Sequence, residues 1–117
     1  MNPDERREGF RVPRAFLARF KPKGHHSWFI SPLRDLSQGG ARFLSEYTEF
    51  KPGDRIALQL VLSSAPKGLV VHSTIKWARP SKMPSIIEVG VAFDVKEPAI
   101  QAAIERASSF FDRRKQQ

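Results

Sequence analysis

Six short runs of residues have the composition of β-strands, and turn signals separate each run from the next. The fourth run shows the pattern most clearly, because Ile56, Leu58, Leu60 and Leu62 alternate with the residues between them. Successive side chains of a strand point to opposite faces, so one face of this run is expected to be buried. The runs cover residues 14–21, 27–36, 41–44, 56–62, 69–79 and 86–94. Short strands at this spacing predict an all-β domain, either a small antiparallel barrel or a sandwich.

Two residues interrupt these strand patterns. Pro32 cannot donate a hydrogen bond to a neighbouring strand, so it predicts an edge strand or a bulge. Gly90 lies within the last run and predicts a bulge or a close packing partner. Trp28 is expected to be a packing residue.

The C-terminal segment changes to a helical period. Pro98 suits the first turn of a helix, and apolar residues then recur along one stripe. They are Ile100, Ala103, Ile104, Ala107, Phe110 and Phe111. The pattern predicts an amphipathic helix over 97–114 that docks on a barrel formed by 12–95, after a flexible basic arm at 1–11. The alternative is that the aromatic end of the helix contacts a partner.

Composition narrows the class of protein. The 117 residues suffice for one small domain, and the absence of cysteine excludes disulfides and thiolate metal ligands. A surplus of 20 Lys and Arg over 12 Asp and Glu favours an anionic partner. The chain starts with acidic residues rather than a signal sequence, and no apolar run reaches the roughly 20 residues needed to cross a bilayer. We therefore expect a cytoplasmic protein without a membrane span.

No catalytic or metal-binding motif is present in the sequence. His25 and His26 are neighbours in a predicted loop and His72 lies in a strand, without the spacing of metal ligands. Ser37 and Asp35 have no histidine at motif spacing and no nucleophile elbow. We predict no catalytic residue, no metal and no cofactor, and hence no enzyme.

A cluster of arginines near the N-terminus has the donors to bind a nucleotide. Arg6, Arg7 and Arg11 lie within six residues, and Gly9 permits a bend between them. The guanidinium group donates in bidentate fashion to phosphate oxygens and to the O6/N7 edge of guanine.

The stretch Asp35-Leu36-Ser37-Gln38-Gly39-Gly40 has complementary groups. The Asp35 carboxylate can accept from guanine N1–H and N2–H₂, and Ser37 can donate or accept. Bare N–H groups at Gly39 and Gly40 can meet a phosphate or a base edge. The alternative is that this stretch is only a tight hairpin turn.

These two stretches resemble the signature motifs of PilZ domains. Arg7-Glu8-Gly9-Phe10-Arg11 has the form RxxxR, and the second stretch has the form DxSxxG about two dozen residues later. Gly53-Asp54, a strand with Trp77, and Gly90-Val91-Ala92-Phe93 also agree with the family. The resemblance implies a six-stranded antiparallel β-barrel. It also implies binding of cyclic di-GMP (c-di-GMP), a bacterial second messenger with two guanines and two phosphates.

The resemblance also implies roles for single residues. The positions that match the family's ligand-binding residues are Arg7, Arg11, Asp35, Ser37 and Gly40, with Arg6 and Gly39 beside them. Arg6 extends the first motif to RRxxxR, which allows an intercalated pair of c-di-GMP molecules. Trp77 has two interpretations, packing in the barrel or stacking near a guanine.

Together these features suggest a ligand-operated adaptor for signal transduction. Ligand would order the arm over the barrel and change the surface offered to an unknown downstream protein. One rival is a small barrel that binds nucleic acid, which we consider a less favoured partner. A second rival is a protein-interaction module that uses the C-terminal helix without a small ligand.

Overall fold

The computed structural model describes residues 16–62, 65–94 and 97–116, with only the backbone of 65, 66 and 109–116. These residues form six strands and one helix. The elements are β1 (Leu17–Phe20), β2 (Phe29–Leu36), β3 (Gly40–Ser45), β4 (Arg55–Leu62), β5 (Ala65–Pro80), β6 (Ile87–Phe93) and α1 (Pro98–Gln116). Each strand overlaps one predicted run. The first strand is shorter than its run and the fifth is longer.

The strands close into an antiparallel barrel in the order β1-β2-β3-β6-β5-β4. Closure follows from β1, which pairs with β2 on one side and β4 on the other. The six-stranded barrel with a C-terminal helix is therefore confirmed, and a sandwich is excluded. A closed barrel has no edge strand, so the edge interpretation of Pro32 is wrong. The register between β2 and β3 shifts just after the proline, between Leu33 and Asp35.

Inward side chains of every strand form a single core. The alternating face of β4 is buried as predicted, because Ile56, Leu58, Leu60 and Leu62 are each at most 5% exposed. Phe20 is also fully buried. Its ring lies 4.8 Å from the Phe43 ring and 5.6 Å from the Phe29 ring, measured between centroids. Aromatic pairs at these separations add to the stability given by burial.

The helix α1 docks on the barrel with its apolar stripe. Ile104 is fully buried, and Ala107 belongs to the same core cluster. The predicted docking face is therefore present for the first half of α1, while the side chains of 109–116 are outside the description. In the part of the chain that the structure describes, no helix is both long and apolar enough to span a membrane.

Gly90 has the close packing partner that its position predicted, and the bulge lies opposite it, where Lys76 of β5 is the extra residue. The register between β5 and β6 shifts between Ile75 and Trp77, and Gly90 is the strand partner of Trp77. A Cβ atom on residue 90 would overlap the Trp77 indole ring. The glycine thus lets a large ring lie directly against the β6 backbone.

Trp28 does not follow the sequence interpretation. Its side chain is 40% exposed, so the expectation that it is a packing residue is wrong. The tryptophan lies just before β2, where its side chain points outward from the barrel. The physical reason is strand alternation, because its neighbour Phe29 points toward the core cluster.

Candidate functional site

A cleft of about 310 Å³ opens on the outer surface of the barrel, where the turn after β2 meets β3, β5 and β6. All five barrel residues that the sequence selected line it, namely Asp35, Ser37, Gly39, Gly40 and Trp77. The strand order brings them together, because β3 pairs with both β2 and β6, and β6 pairs with β5. Residues some forty positions apart in the chain therefore share one wall.

The turn at 37–40 is held by backbone and side-chain hydrogen bonds. The Ser37 amide donates to the Gly40 carbonyl at 2.9 Å, and the Ser37 hydroxyl donates to the same carbonyl at 3.4 Å. The Phe93 amide donates to the Gly39 carbonyl at 2.9 Å. From the helix, the Gln101 side chain donates to the Gln38 carbonyl at 3.2 Å. The turn is thus a tight corner, as the simpler interpretation expected, and it also forms part of the cleft.

The two glycines of this turn differ in their packing. A Cβ on Gly40 would collide with the Val91 carbonyl oxygen, so the close pairing of β3 with β6 requires glycine here. A Cβ on Gly39 would have no atom within 4 Å. Barrel packing therefore accounts for Gly40 but not for Gly39, whose backbone faces the cleft.

Asp35 lies at the end of β2, beside the floor of the cleft. One carboxylate oxygen accepts from the Leu36 amide at 2.9 Å, and the other lies 3.6 Å from an Arg42 guanidinium nitrogen. The side chain is 24% exposed. A carboxylate has two oxygens with about four lone-pair sites, so it can accept several hydrogen bonds at once.

Asp35 belongs to a chain of charged groups that sequence reasoning missed. Arg42 connects Asp35 to Glu88, whose carboxylate lies 3.3 Å from the Arg42 guanidinium. Glu88 also accepts two hydrogen bonds from Arg79, at 2.9 and 3.1 Å. Exposed ion pairs contribute roughly 0–1 kcal/mol each to stability, so this chain mainly fixes the direction of the side chains.

Trp77 lines the cleft from β5. Its ring packs on Gly90, and the Arg79 guanidinium carbon lies 4.6 Å from the ring centroid. That separation is within the range of a cation–π contact. The packing interpretation of Trp77 is therefore supported by its contact with β6, and stacking on a guanine stays a prediction. Lys76, the next residue, also lines the cleft and was not selected from the sequence.

The remaining selected residues are elsewhere or undescribed. Arg6, Arg7 and Arg11 lie outside the residues that the structure describes. His25 packs edge-on against Tyr47, with ring centroids 5.0 Å apart. Across 16–62, 65–94 and the described part of α1, no three His, Asp or Glu side chains are grouped to hold a metal ion.

The missed residues have no local signal. Arg42, Arg79 and Glu88 are charged residues in strands, and such residues are ordinarily solvated. Only the pairing of β3 with β6, and of β6 with β5, brings them beside Asp35 and Trp77.

Comparison with known proteins supplies a family and a set of folds. The family model of the PilZ domain matches residues 5–109. No curated protein matches the sequence. Among solved structures, the PilZ domain with c-di-GMP of YcgR from Escherichia coli superposes with a TM-score of 0.64 at 17% identity, covering 86% of this chain and 83% of that one.

Two longer proteins contain the same fold. K. pneumonia MrkH superposes with a TM-score of 0.69 at 13% identity over 92% of this chain and 49% of its own. The Bacillus subtilis inhibitor of motility MotI/DgrA superposes with a TM-score of 0.67 at 9% identity, over 92% of this chain and 54% of its own. The chain thus spans about half the length of these two proteins, and identities this low establish similarity of fold alone.

Proposed function

The chain belongs to the PilZ domain family, and on that premise we propose that it is a receptor and adaptor for c-di-GMP. One observation carries the proposal. Asp35, Ser37, Gly39, Gly40 and Trp77 were selected from the sequence as ligand-binding residues, and they line a single cleft. Two solved structures of the same fold support c-di-GMP as the ligand, because the PilZ domain of YcgR and MrkH were both solved in complex with it.

The chemistry of the cleft suits one guanine and an adjoining phosphate. Asp35 accepts hydrogen bonds from guanine N1–H and N2–H₂. The Arg42 guanidinium, 3.6 Å from the Asp35 carboxylate, orients it. The Ser37 hydroxyl and the backbone at Gly39 offer polar contacts at the rim. The volume of about 310 Å³ is at the lower end for small-molecule sites, which fits part of the ligand rather than the whole ring.

Trp77 provides an aromatic surface within this cleft. Its indole ring is fixed by Gly90 on the barrel and by Arg79 at 4.6 Å. Stacking of a base on a fixed aromatic ring is a common source of nucleotide affinity. In the proposal, Trp77 stacks near the guanine, and Lys76 contributes charge for a phosphate.

The N-terminal arginines complete the proposed site. Arg7 and Arg11 would bind phosphate and guanine edges, and Arg6 would allow an intercalated pair of ligands. Ordering of the arm over the barrel would change the surface presented to a downstream protein. This is a binding switch biased by ligand contacts, and it needs no catalytic chemistry.

Calorimetric titration of the purified chain with c-di-GMP tests the proposal, with GTP and cyclic AMP as controls. We expect selective binding at micromolar affinity or tighter, and the stoichiometry distinguishes one ligand from two. Absence of heat together with an unchanged melting temperature would overturn the receptor function. Binding of GTP with equal affinity would overturn the specificity.

A further inference from the structure

A second surface lies on the side of the barrel away from the cleft. Ile30, Arg19, Gln59 and Val70 are successive strand partners across β2, β1, β4 and β5, so they form one row. The cleft is centred on the β3–β6 pair. In the six-stranded order, the β1–β4 pair lies diametrically across the barrel from it. A partner on this row would therefore leave the cleft open.

Three of the four large apolar side chains that are exposed in the described part of the chain lie on this row or beside it. Ile30 is 60% exposed, Val70 is 51% exposed, and Trp28, two residues before Ile30, is 40% exposed. Single exposed apolar residues are normal, but several on one face indicate a contact surface. We call Arg19, Lys21, Trp28, Ile30 and Val70 the Trp28 face. With strands about 4.8 Å apart, the row from Ile30 to Val70 extends about 14 Å.

Two cations on this face have no anionic partner among the residues that the structure describes. The Arg19 guanidinium carbon lies 5.6 Å from the Trp28 ring centroid, and the Lys21 ammonium lies 5.1 Å from it. Among the described residues neither forms an ion pair with a carboxylate. The Arg19 Nε–H is covered and has no hydrogen-bond partner within that part of the chain. A buried donor without a hydrogen-bond partner raises the free energy of the folded state. A carboxylate that moved the guanidinium away from the ring and accepted from Nε–H would remove this penalty.

Positive charge continues beyond the tryptophan. Lys21, Lys23, Arg55 and His72 line an adjoining groove of about 340 Å³, together with Asp94. Asp94 already accepts from Arg55 at 3.3 Å and from Thr74 at 2.7 Å. The groove and the Trp28 face therefore present a net positive surface beside exposed apolar groups.

We propose that the Trp28 face binds an acidic segment of a partner protein that presents apolar side chains. Arg19 and Lys21 supply charge complementarity, and Trp28, Ile30 and Val70 supply the apolar contact. A second copy of this chain fits poorly, because a symmetric contact would place the cations against each other. Single-stranded nucleic acid fits less well, because Ile30 and Val70 offer no ring for base stacking and Trp28 is the one aromatic residue among the five that define this face.

The proposal deepens the adaptor function and rests on it only in assigning the partner a role in signalling. Recognition by this face does not need c-di-GMP. The sequence contains two tryptophans, so the two indole N–H signals in an NMR spectrum report the two sites separately. Trp77 reports the cleft and Trp28 reports the proposed docking face.

Selection of random displayed peptides on the purified full chain tests the proposal. We expect enriched peptides to be acidic with aromatic or aliphatic residues, and a synthetic copy of the best one to shift the Trp28 indole signal. Trp28→Ser and Lys21→Glu should each lower the affinity for that peptide by about tenfold or more, as expected for residues at the centre of an interface. Lys82→Glu is the matched control, because Lys82 is exposed in the turn between β5 and β6, and it should bind normally.

Several results would overturn the proposal. One is enrichment of the same peptides on wild type and on Lys21→Glu. Another is a selection in which no enriched peptide is acidic. A third is a Trp28-dependent interaction with an oligonucleotide or with vesicles of anionic lipid that displaces the peptide. If c-di-GMP fails to shift Trp77 while the peptide shifts Trp28, the receptor function fails and the docking face stands.

Discussion

Gly90 and Trp77 are strand partners across β6 and β5, and the indole ring occupies the space where a Cβ of residue 90 would lie. The position of the Trp77 ring in the cleft thus requires a residue without a Cβ atom at position 90. The bulge between Ile75 and Trp77 directs the ring onto this gap. A tryptophan held in this way is fixed before any ligand arrives, which reduces the entropy lost on binding.

Gly90→Ala should displace the Trp77 ring. Overpacking of this kind typically costs about 1–3 kcal/mol, so we expect a lower melting temperature and a changed indole environment. Thermal unfolding followed by tryptophan fluorescence measures both. The double variant Gly90→Ala/Trp77→Leu should recover part of the stability, because the clash is removed. Equal stability of wild type and Gly90→Ala would contradict the packing described here.

The adjacent glycines of the turn should respond differently to alanine. Gly40→Ala should destabilise the barrel, because its Cβ meets the Val91 carbonyl, whereas Gly39→Ala should fold with nearly wild-type stability. Gly39→Ala is expected to weaken c-di-GMP binding instead, because residue 39 lines the cleft. Denaturant unfolding and calorimetry on the pair separate the two effects. A Gly39→Ala protein with reduced stability and unchanged affinity would reverse this assignment.

The six strands could be predicted from the sequence because strand alternation and turn chemistry are local, whereas the choice of a barrel over a sandwich came from the resemblance to PilZ domains. Asp35 and Ser37 were found for the same reason, since their motif lies within six residues. Arg42, Arg79 and Glu88 were missed because their proximity to Asp35 depends on the register of β3, β5 and β6, which no local pattern encodes. The two tryptophans illustrate the same limit, because strand pairing leaves Trp28 exposed and packs Trp77 on a glycine.

Asp35→Asn should weaken c-di-GMP binding selectively. Hydrogen bonds to a charged group contribute roughly 1.5–3 kcal/mol, which corresponds to about tenfold to more than a hundredfold in affinity. Asparagine keeps the shape of the side chain but loses its charge and half of its acceptor capacity. Glu105→Gln is the control, because it makes the same change in net charge at an exposed residue of α1, and it should bind c-di-GMP normally. Unchanged affinity in Asp35→Asn would remove this residue from the site.

Arg42→Ala should produce a smaller loss than Asp35→Asn. Arg42 lies 3.6 Å from the Asp35 carboxylate and links it to Glu88, so we expect Arg42 to act on the ligand through Asp35. In the double variant Asp35→Asn/Arg42→Ala, the second change should therefore add little. Calorimetric titration of the four proteins gives the coupling energy. Fully additive losses would instead mean that Arg42 contacts the ligand itself.

Arg11→Ala tests the proposed arm. Loss of a charge-assisted contact should weaken c-di-GMP about tenfold to more than a hundredfold, while the melting temperature of the free protein stays unchanged. If calorimetry finds two ligands on the wild-type chain, Arg6→Ala should reduce the stoichiometry to one. Lys82→Ala provides a control of equal charge outside the arm. Unchanged affinity in Arg11→Ala would exclude the arm from binding.

Salt dependence distinguishes a dinucleotide receptor from a nucleic-acid-binding barrel. A net charge of +8 attracts any polyanion, so weak binding of RNA alone does not identify a ligand. A protein that contacts 6–10 phosphates loses roughly 10³–10⁵ in affinity between 50 and 200 mM salt. Because c-di-GMP has two phosphates, its affinity should fall by less than about tenfold over that range. The same titration with a single-stranded oligonucleotide is the comparison. A steep salt dependence for c-di-GMP would indicate diffuse attraction to the basic surface rather than seating in the cleft.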